Sequence, residues 1–134
     1  MKTNIFVNLP VKDLNASVAF FTKLGYTFNA QFTDENATCM VISDTIYAML
    51  ITHNRFKDFT KKAIADASKT TEVLIALSAE SKEKVHELAD KAIAAGGKEA
   101  GEPQDHGFMI SRSFEDLDGH IWEAVWMDPN FVQK

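Results

Sequence analysis

Apolar positions along this chain keep two spacings, every second residue in some stretches and every third or fourth in others, and the order of the two is repeated. Residues 5–9 form an apolar strand run that stops at Pro10, which has no amide to give a ladder. Asp13 then reads as an N-cap, followed by Leu14, Val18, Phe21 and Leu24 at helical spacing and by Gly25 as a stop. Three strand runs follow at 26–32, 38–43 and 46–52, joined by Asp34-Glu35-Asn36 and Asp44-Thr45 turns. From residue 71 the order returns. A strand at 71–79 precedes Ser81 as a cap, a helix with Val85, Leu88, Ala89, Ala92 and Ile93 on one stripe, and a Gly96-Gly97 stop. Strands at 98–101, 108–114 and 120–126 complete it. The prediction is an α+β fold of two βαβββ modules, a supersecondary unit used twice.

Between the modules, Phe56, Phe59, Ala63 and Ile64 stand at roughly helical spacing among Arg55, Lys57, Lys61 and Lys62. The spacing predicts an amphipathic linker helix with a solvated basic face. The boundaries are then module one at 1–53, linker at 54–70, module two at 71–128 and a tail at 129–134, all within one domain.

The last hairpin concentrates the chemistry. Asp118-Gly119 sits between two alternating runs, the pattern of a tight two-residue turn. On its second strand His120, Trp122, Ala124 and Trp126 point one way, and Ile121, Glu123 and Val125 the other. Both faces read as mostly apolar, so Glu123 is a lone carboxylate on a greasy surface. Such a charge is costly unless paired, metal-bound or used.

Composition narrows the partners. A formal net charge of −5 over 134 residues, with no Lys/Arg stripe, excludes nucleic acid and an anionic membrane as expected partners. Ten Phe and two Trp supply bulk for a core or a ligand cavity. The single cysteine, Cys39, lies in an apolar run and reads as a buried, inert thiol. No secretory segment follows Met1-Lys2 and no run approaches membrane-spanning length, so a soluble cytoplasmic protein is expected. No Ser-His-Asp arrangement or nucleotide-type glycine loop is visible.

The repeat can be registered on itself. Asp44-Thr45 matches Asp118-Gly119, which sets Met49 against Glu123; Leu9 matches Leu77, which sets Phe6 against Leu74. With this pairing, the Val11-Lys12-Asp13-Leu14 helix entry and the run from Phe114 through Glu115-Asp116-Leu117-Asp118-Gly119-His120-Ile121-Trp122 to Glu123 resemble the vicinal oxygen chelate superfamily. That group includes glyoxalase I, extradiol dioxygenases, fosfomycin-resistance enzymes and bleomycin-resistance proteins. Gly107-Phe108-Met109, Arg112-Ser113-Phe114 and the Trp126-to-Pro129 tail look most like its small predicted lactoylglutathione lyase-like members.

The resemblance implies curved sheets around a cleft, a homodimer, and in metal-using members a divalent ion held from the first and last strands of each module. The matching positions here are Phe6, Met49, Leu74 and Glu123, of which only Glu123 carries a hard donor. No cofactor is therefore expected; a metal, if bound, would need His53, His106 or His120 beside Glu123. Two activities stay open. One is lyase or isomerase chemistry with Glu123 as base for a proton next to a carbonyl and Arg112 or His106 as electrophile. The other is non-catalytic binding of a small organic molecule or antibiotic in a cleft lined by Phe6, Met49, Leu74 and Glu123. Plain roles compete: an Arg112–Glu123 ion pair, and Phe6, Met49 and Leu74 as core.

Overall fold

The computed structural model describes residues 2–131, and among these the chain divides after Asp66 into two compact units. In the first, β1 (Ile5–Val11), β4 (Ile46–Thr52), β3 (Ala37–Val41) and β2 (Thr27–Asn29) form a sheet in the order β1-β4-β3-β2, with β1 parallel to β4. Helix α1 (Leu14–Lys23) starts where Asp13 accepts the Ala16 amide at 3.0 Å and packs on β4. Leu9, Val11, Ala48, Leu50 and Met40 alternate onto one sheet face and are almost wholly buried, with Phe20, Phe21 and Leu24 of the helix end. Strand β2 is shorter than the sequence predicts. Asn29 caps a 3-10 turn over Ala30–Phe32 by accepting the Gln31 amide, which takes the backbone out of the ladder.

The second unit repeats the plan, with β5 (Leu74–Ser78), β9 (Ile121–Met127), β8 (Met109–Glu115) and β6 (Lys98–Glu99) in the order β5-β9-β8-β6. Strand β7 (Gln104–Asp105), absent from the sequence prediction, adds a second short pairing on β8. Helix α3 (Lys82–Ala94) is capped by Ser81 and packs Val85 and Leu88 on Ile110, Ala124 and Trp126. Of the predicted stripe, Ile93 instead stands 37% exposed at the helix end.

The linker differs most from expectation. Helix α2 (His53–Phe56) runs into one 3-10 turn, Lys57–Phe59, and residues 60–73 have no regular structure. The 3-10 turn stops at Thr60, whose backbone is extended and whose hydroxyl accepts the Lys62 amide. Three residues of the expected 129–134 tail, 132–134, lie outside the described residues.

Candidate functional site

The hairpin before Glu123 is held by an aspartate. Strand β8 ends at Glu115 and β9 begins at Ile121, so the connection spans 116–120 rather than the predicted two-residue turn. The Asp116 carboxylate, on a residue only 7% exposed, accepts the amides of Asp118 (2.9 Å) and His120 (3.0 Å) on one oxygen and the Trp122 indole N–H (2.9 Å) on the other. Burial raises its pKa above the ordinary value, against the lowering effect of the His120 imidazole and of the bonds it accepts. Gly119 takes φ +90°, and a Cβ there would stand 2.8 Å from the Ala67 carbonyl oxygen and the Ser68 backbone. The 67–68 segment thus lies directly on the turn.

Strand β9 leaves this anchor with its side chains sorted by the ladder. Trp122 and Ala124 go to the α3 side, and Glu123 goes to the other. Across the sheet, Glu123 lies level with Ala76 on β5 and Ser113 on β8. The next row is Ser78, Val125 and Ser111, and the row before is Leu74, Ile121, Glu115 and Lys98. Glu123 is half-buried, and among the described residues no hydrogen bond or ion pair reaches its carboxylate. The face is less greasy than the sequence of β9 alone suggests, because the hydroxyls come from β5 and β8.

In the first unit the equivalent row is Asn8, Met49 and Cys39. Asn8 matches Ala76, Met49 matches Glu123 and Cys39 matches Ser113, so the two sheets have one register. Phe6 is 49% exposed and stacks on Tyr47 with ring centroids 4.9 Å apart and planes 12° from parallel. Leu74, its counterpart in the second unit, is 56% exposed. Burial pushes the Cys39 thiol pKa up.

The ladder also corrects the Arg112–Glu123 pairing. Arg112 lies level with Ala124, on the α3 side, where it meets Asp90 at 2.7 Å and Glu99 at 3.1 Å with His86 Nδ1 3.4 Å away. A strand alternates its faces, so Arg112 and Glu123 cannot meet on one sheet surface. His106 sits past the far end of β8, its amide bonded to Met109 O and its ring against Phe108, which stacks on Phe131 at 4.2 Å. Four strand positions separate Met109 from Ser113, roughly 13 Å along the strand from the Glu123 row. His120 lies in the hairpin connection beside Asp116, and His53 is exposed at the start of α2.

The first module matches the family model described as bleomycin resistance protein-like N-terminal over residues 3–43. No curated protein matches the chain. Among solved structures, a hypothetical protein from S. aureus is 28% identical with a TM-score of 0.78, covering 94% of this chain and 95% of that one. A glyoxalase-related enzyme from Fulvimarina pelagi is 19% identical with a TM-score of 0.79, covering 94% and 88%. A fosfomycin resistance protein, FosX, from Listeria monocytogenes is 20% identical with a TM-score of 0.68, covering 100% and 95%. The chain has the fold of the glyoxalase/bleomycin resistance/dioxygenase proteins among these neighbours.

For a chain with this fold the donor set is poor. At the positions the sequence registers as metal-holding, Phe6 and Met49 in the first unit and Leu74 in the second offer no oxygen or nitrogen, and Glu123 alone does. Among the described residues no three of His, Cys, Asp or Glu come together in a geometry that would hold an ion. The residues do not fit the divalent metal of the superfamily's metal-using members. No described helix is long and apolar enough to cross a membrane.

Sequence reading missed two things. The Asp-Gly pair masks Asp116 beside it, although its indole partner is six residues on. The hydroxyls around Glu123 lie on other strands, and β9 gives no sign of them.

Proposed function

We propose that this protein binds a small organic ligand and acts as a homodimer, with Glu123 as the polar anchor for the ligand. One observation carries the reading: Glu123 is a half-buried carboxylate with no ion-pair partner among the described residues, on an open sheet face. A charge kept in that setting is partly desolvated and unpaired, which a ligand group can relieve. Leu74, about half exposed on the same sheet face as Glu123, offers apolar contact area. The likeness to a fosfomycin resistance protein from Listeria monocytogenes supports a small molecule such as an antibiotic as the ligand.

The same unpaired carboxylate favours a second reading, lactoylglutathione lyase-like or isomerase chemistry with Glu123 as the base. It lacks a placed electrophile, since Arg112 faces α3 and His106 lies far along β8. Native mass spectrometry of untagged protein, purified without chelator, tests the binding reading. The expected species is a dimer carrying an organic mass and no metal. A stoichiometric divalent metal, or a monomer free of any adduct from several growth conditions, overturns it. Glu123→Gln separates the two readings: turnover lost with binding retained supports a base, and loss of binding supports an anchor.

A further inference from the structure

We propose that residues 66–73 are a strap and not a free linker: seated on the 116–120 turn, they hold it closed, and their release frees the start of β9, the strand that carries Glu123. The inference stands on a backbone contact and is independent of any ligand. Among the described residues Gly25, Gly96, Gly107 and Gly119 have positive φ. At Gly25 and Gly107 nothing lies within 4 Å of where a Cβ would stand, so backbone conformation alone accounts for them. Gly119 differs, because the Ala67 carbonyl oxygen and the Ser68 nitrogen and Cα all lie 2.8 Å from that point. Two backbones meet there with no room for a methyl group, and Gly119 is buried although it belongs to a turn.

The topology explains why the two segments meet. Strands β5 and β9 run parallel with Leu74 level with Ile121, so the chain enters both from one end of the sheet. The strap leads into β5 and the turn leads into β9, side by side. A second contact reaches the turn from the stop of α3, where Leu117 Cδ2 lies 3.4 Å from the Cβ position of Gly96. Inside the turn, the Asp118 and His120 amides bond the Asp116 carboxylate, and the Gly119 amide bonds the Asp116 carbonyl at 3.2 Å. None of Asp66, Ser68 and Thr70 along the strap is without a partner. Upstream, Lys61, Lys62, Ala63 and Ala65 are exposed, and the second compact unit begins at Ala67. The connection between the modules is therefore an exposed stretch followed by a strap that belongs to the second unit. Lifting the strap is a local opening: it uncovers Gly119, and the bonded amides of the turn exchange with water through it.

Amide hydrogen exchange of the intact chain tests this, read at Asp118, Gly119 and His120, whose amides are bonded within the turn. Ala67→Gly combined with Ser68→Gly loosens the strap without touching the turn, and two added glycines favour its opening by about 5- to 20-fold. The three turn amides are expected to exchange faster by that factor, while amides in the middle of α3 and in the first unit keep their rates. The same pair of changes at the exposed Ala63 and Ala65 should leave the turn amides within about 2-fold of wild type. Gly119→Ala, whose methyl group displaces the strap from the other side, should also speed exchange at these amides beyond any change in α3. Turn amides unmoved by the strap variant would overturn the proposal. So would an equal effect from the Ala63 and Ala65 pair, or an acceleration spread evenly over α3.

Discussion

Removing the Asp116 carboxylate is expected to cost this protein a large part of its stability, through the hairpin that presents Glu123. In Asp116→Ala two turn amides, of Asp118 and His120, lose their acceptor, and the Trp122 indole N–H, on a side chain 1% exposed, is left dry. The turn amides lose about 1 kcal/mol each, and the stranded indole donor costs about 1–3 kcal/mol. Relief of the buried charge offsets part of this, so the net is about 2–4 kcal/mol, against a total of about 5–15 kcal/mol for a domain of ordinary stability. Trp122→Phe should cost about 2–3 kcal/mol, because it trims a filled core position and leaves a carboxylate oxygen without its donor. The double variant should cost less than the sum by about 1–2 kcal/mol, since the bond between the two can be lost only once. Urea unfolding followed by far-UV circular dichroism measures all four proteins. An Asp116→Ala cost below about 0.5 kcal/mol, or a strictly additive cycle, would refute the anchoring role.

The same carboxylate sets a pH dependence. Its folded pKa is raised above the ordinary value of 3.8, so the folded chain holds this proton more tightly than the unfolded chain does. The stabilisation that this protonation gives is fully present below the unfolded pKa and is lost as pH rises through the higher, folded one. Asp116→Asn lacks that titration. The stability of wild type minus that of the Asn variant should therefore fall as pH climbs upward from about 4, and a flat difference would exclude the burial argument.

Gly119→Ala should destabilise by about 2–4 kcal/mol, combining a left-handed backbone with a clash against the 67–68 segment, whereas Gly25→Ala, at φ +105° with open space around it, should cost only about 1–2 kcal/mol. Equal costs at the two sites, read from thermal or urea midpoints, would show that the overlying segment simply moves aside. Arg112→Met should lower stability by about 1–2 kcal/mol, since Asp90 and Glu99 remain exposed enough to be solvated. An unchanged urea midpoint would mean that these ion pairs add nothing to stability. Cys39, 1% exposed and with its thiol pKa raised by burial, should react with a disulfide reagent at least about 100-fold more slowly in the native protein than in urea. Comparable rates would mean that β3 opens readily.

The repeat was legible because both modules write the same local signals: Asp13 and Ser81 at the caps, the apolar helix stripes, and the turns at 42–46 and 116–120. Registering one module on the other put Met49 against Glu123 and Phe6 against Leu74, and the ladders share that register, since Asn8, Met49 and Cys39 lie level as Ala76, Glu123 and Ser113 do. Features set by neighbours in space were not legible. The linker's apolar spacing suggests a helix, yet α2 ends at Phe56 and the backbone is extended by Thr60, and β7 is two residues long with no pattern of its own. The face around Glu123 misled for the same reason, because a strand's sequence shows what points with Glu123 along β9 and nothing of what β5 and β8 set beside it.

That shared register sharpens the functional argument. Two modules with one backbone plan place three side chains on each outer face at equivalent positions, so differences there reflect side-chain choice and not a different scaffold. The first module carries an amide, a thioether and a thiol; the second carries a methyl, a carboxylate and a hydroxyl. Neither row alone has the hard donors a divalent ion needs, and the first has none beyond the Asn8 amide, whose nitrogen bonds the Phe6 carbonyl at 3.2 Å. The asymmetry leaves Glu123 as the one carboxylate on the two rows. It predicts that Met49→Glu, which makes the rows alike, leaves the protein without stoichiometric zinc or manganese after dialysis, as read by elemental analysis. A tight metal in that variant would show that one carboxylate was all the site lacked.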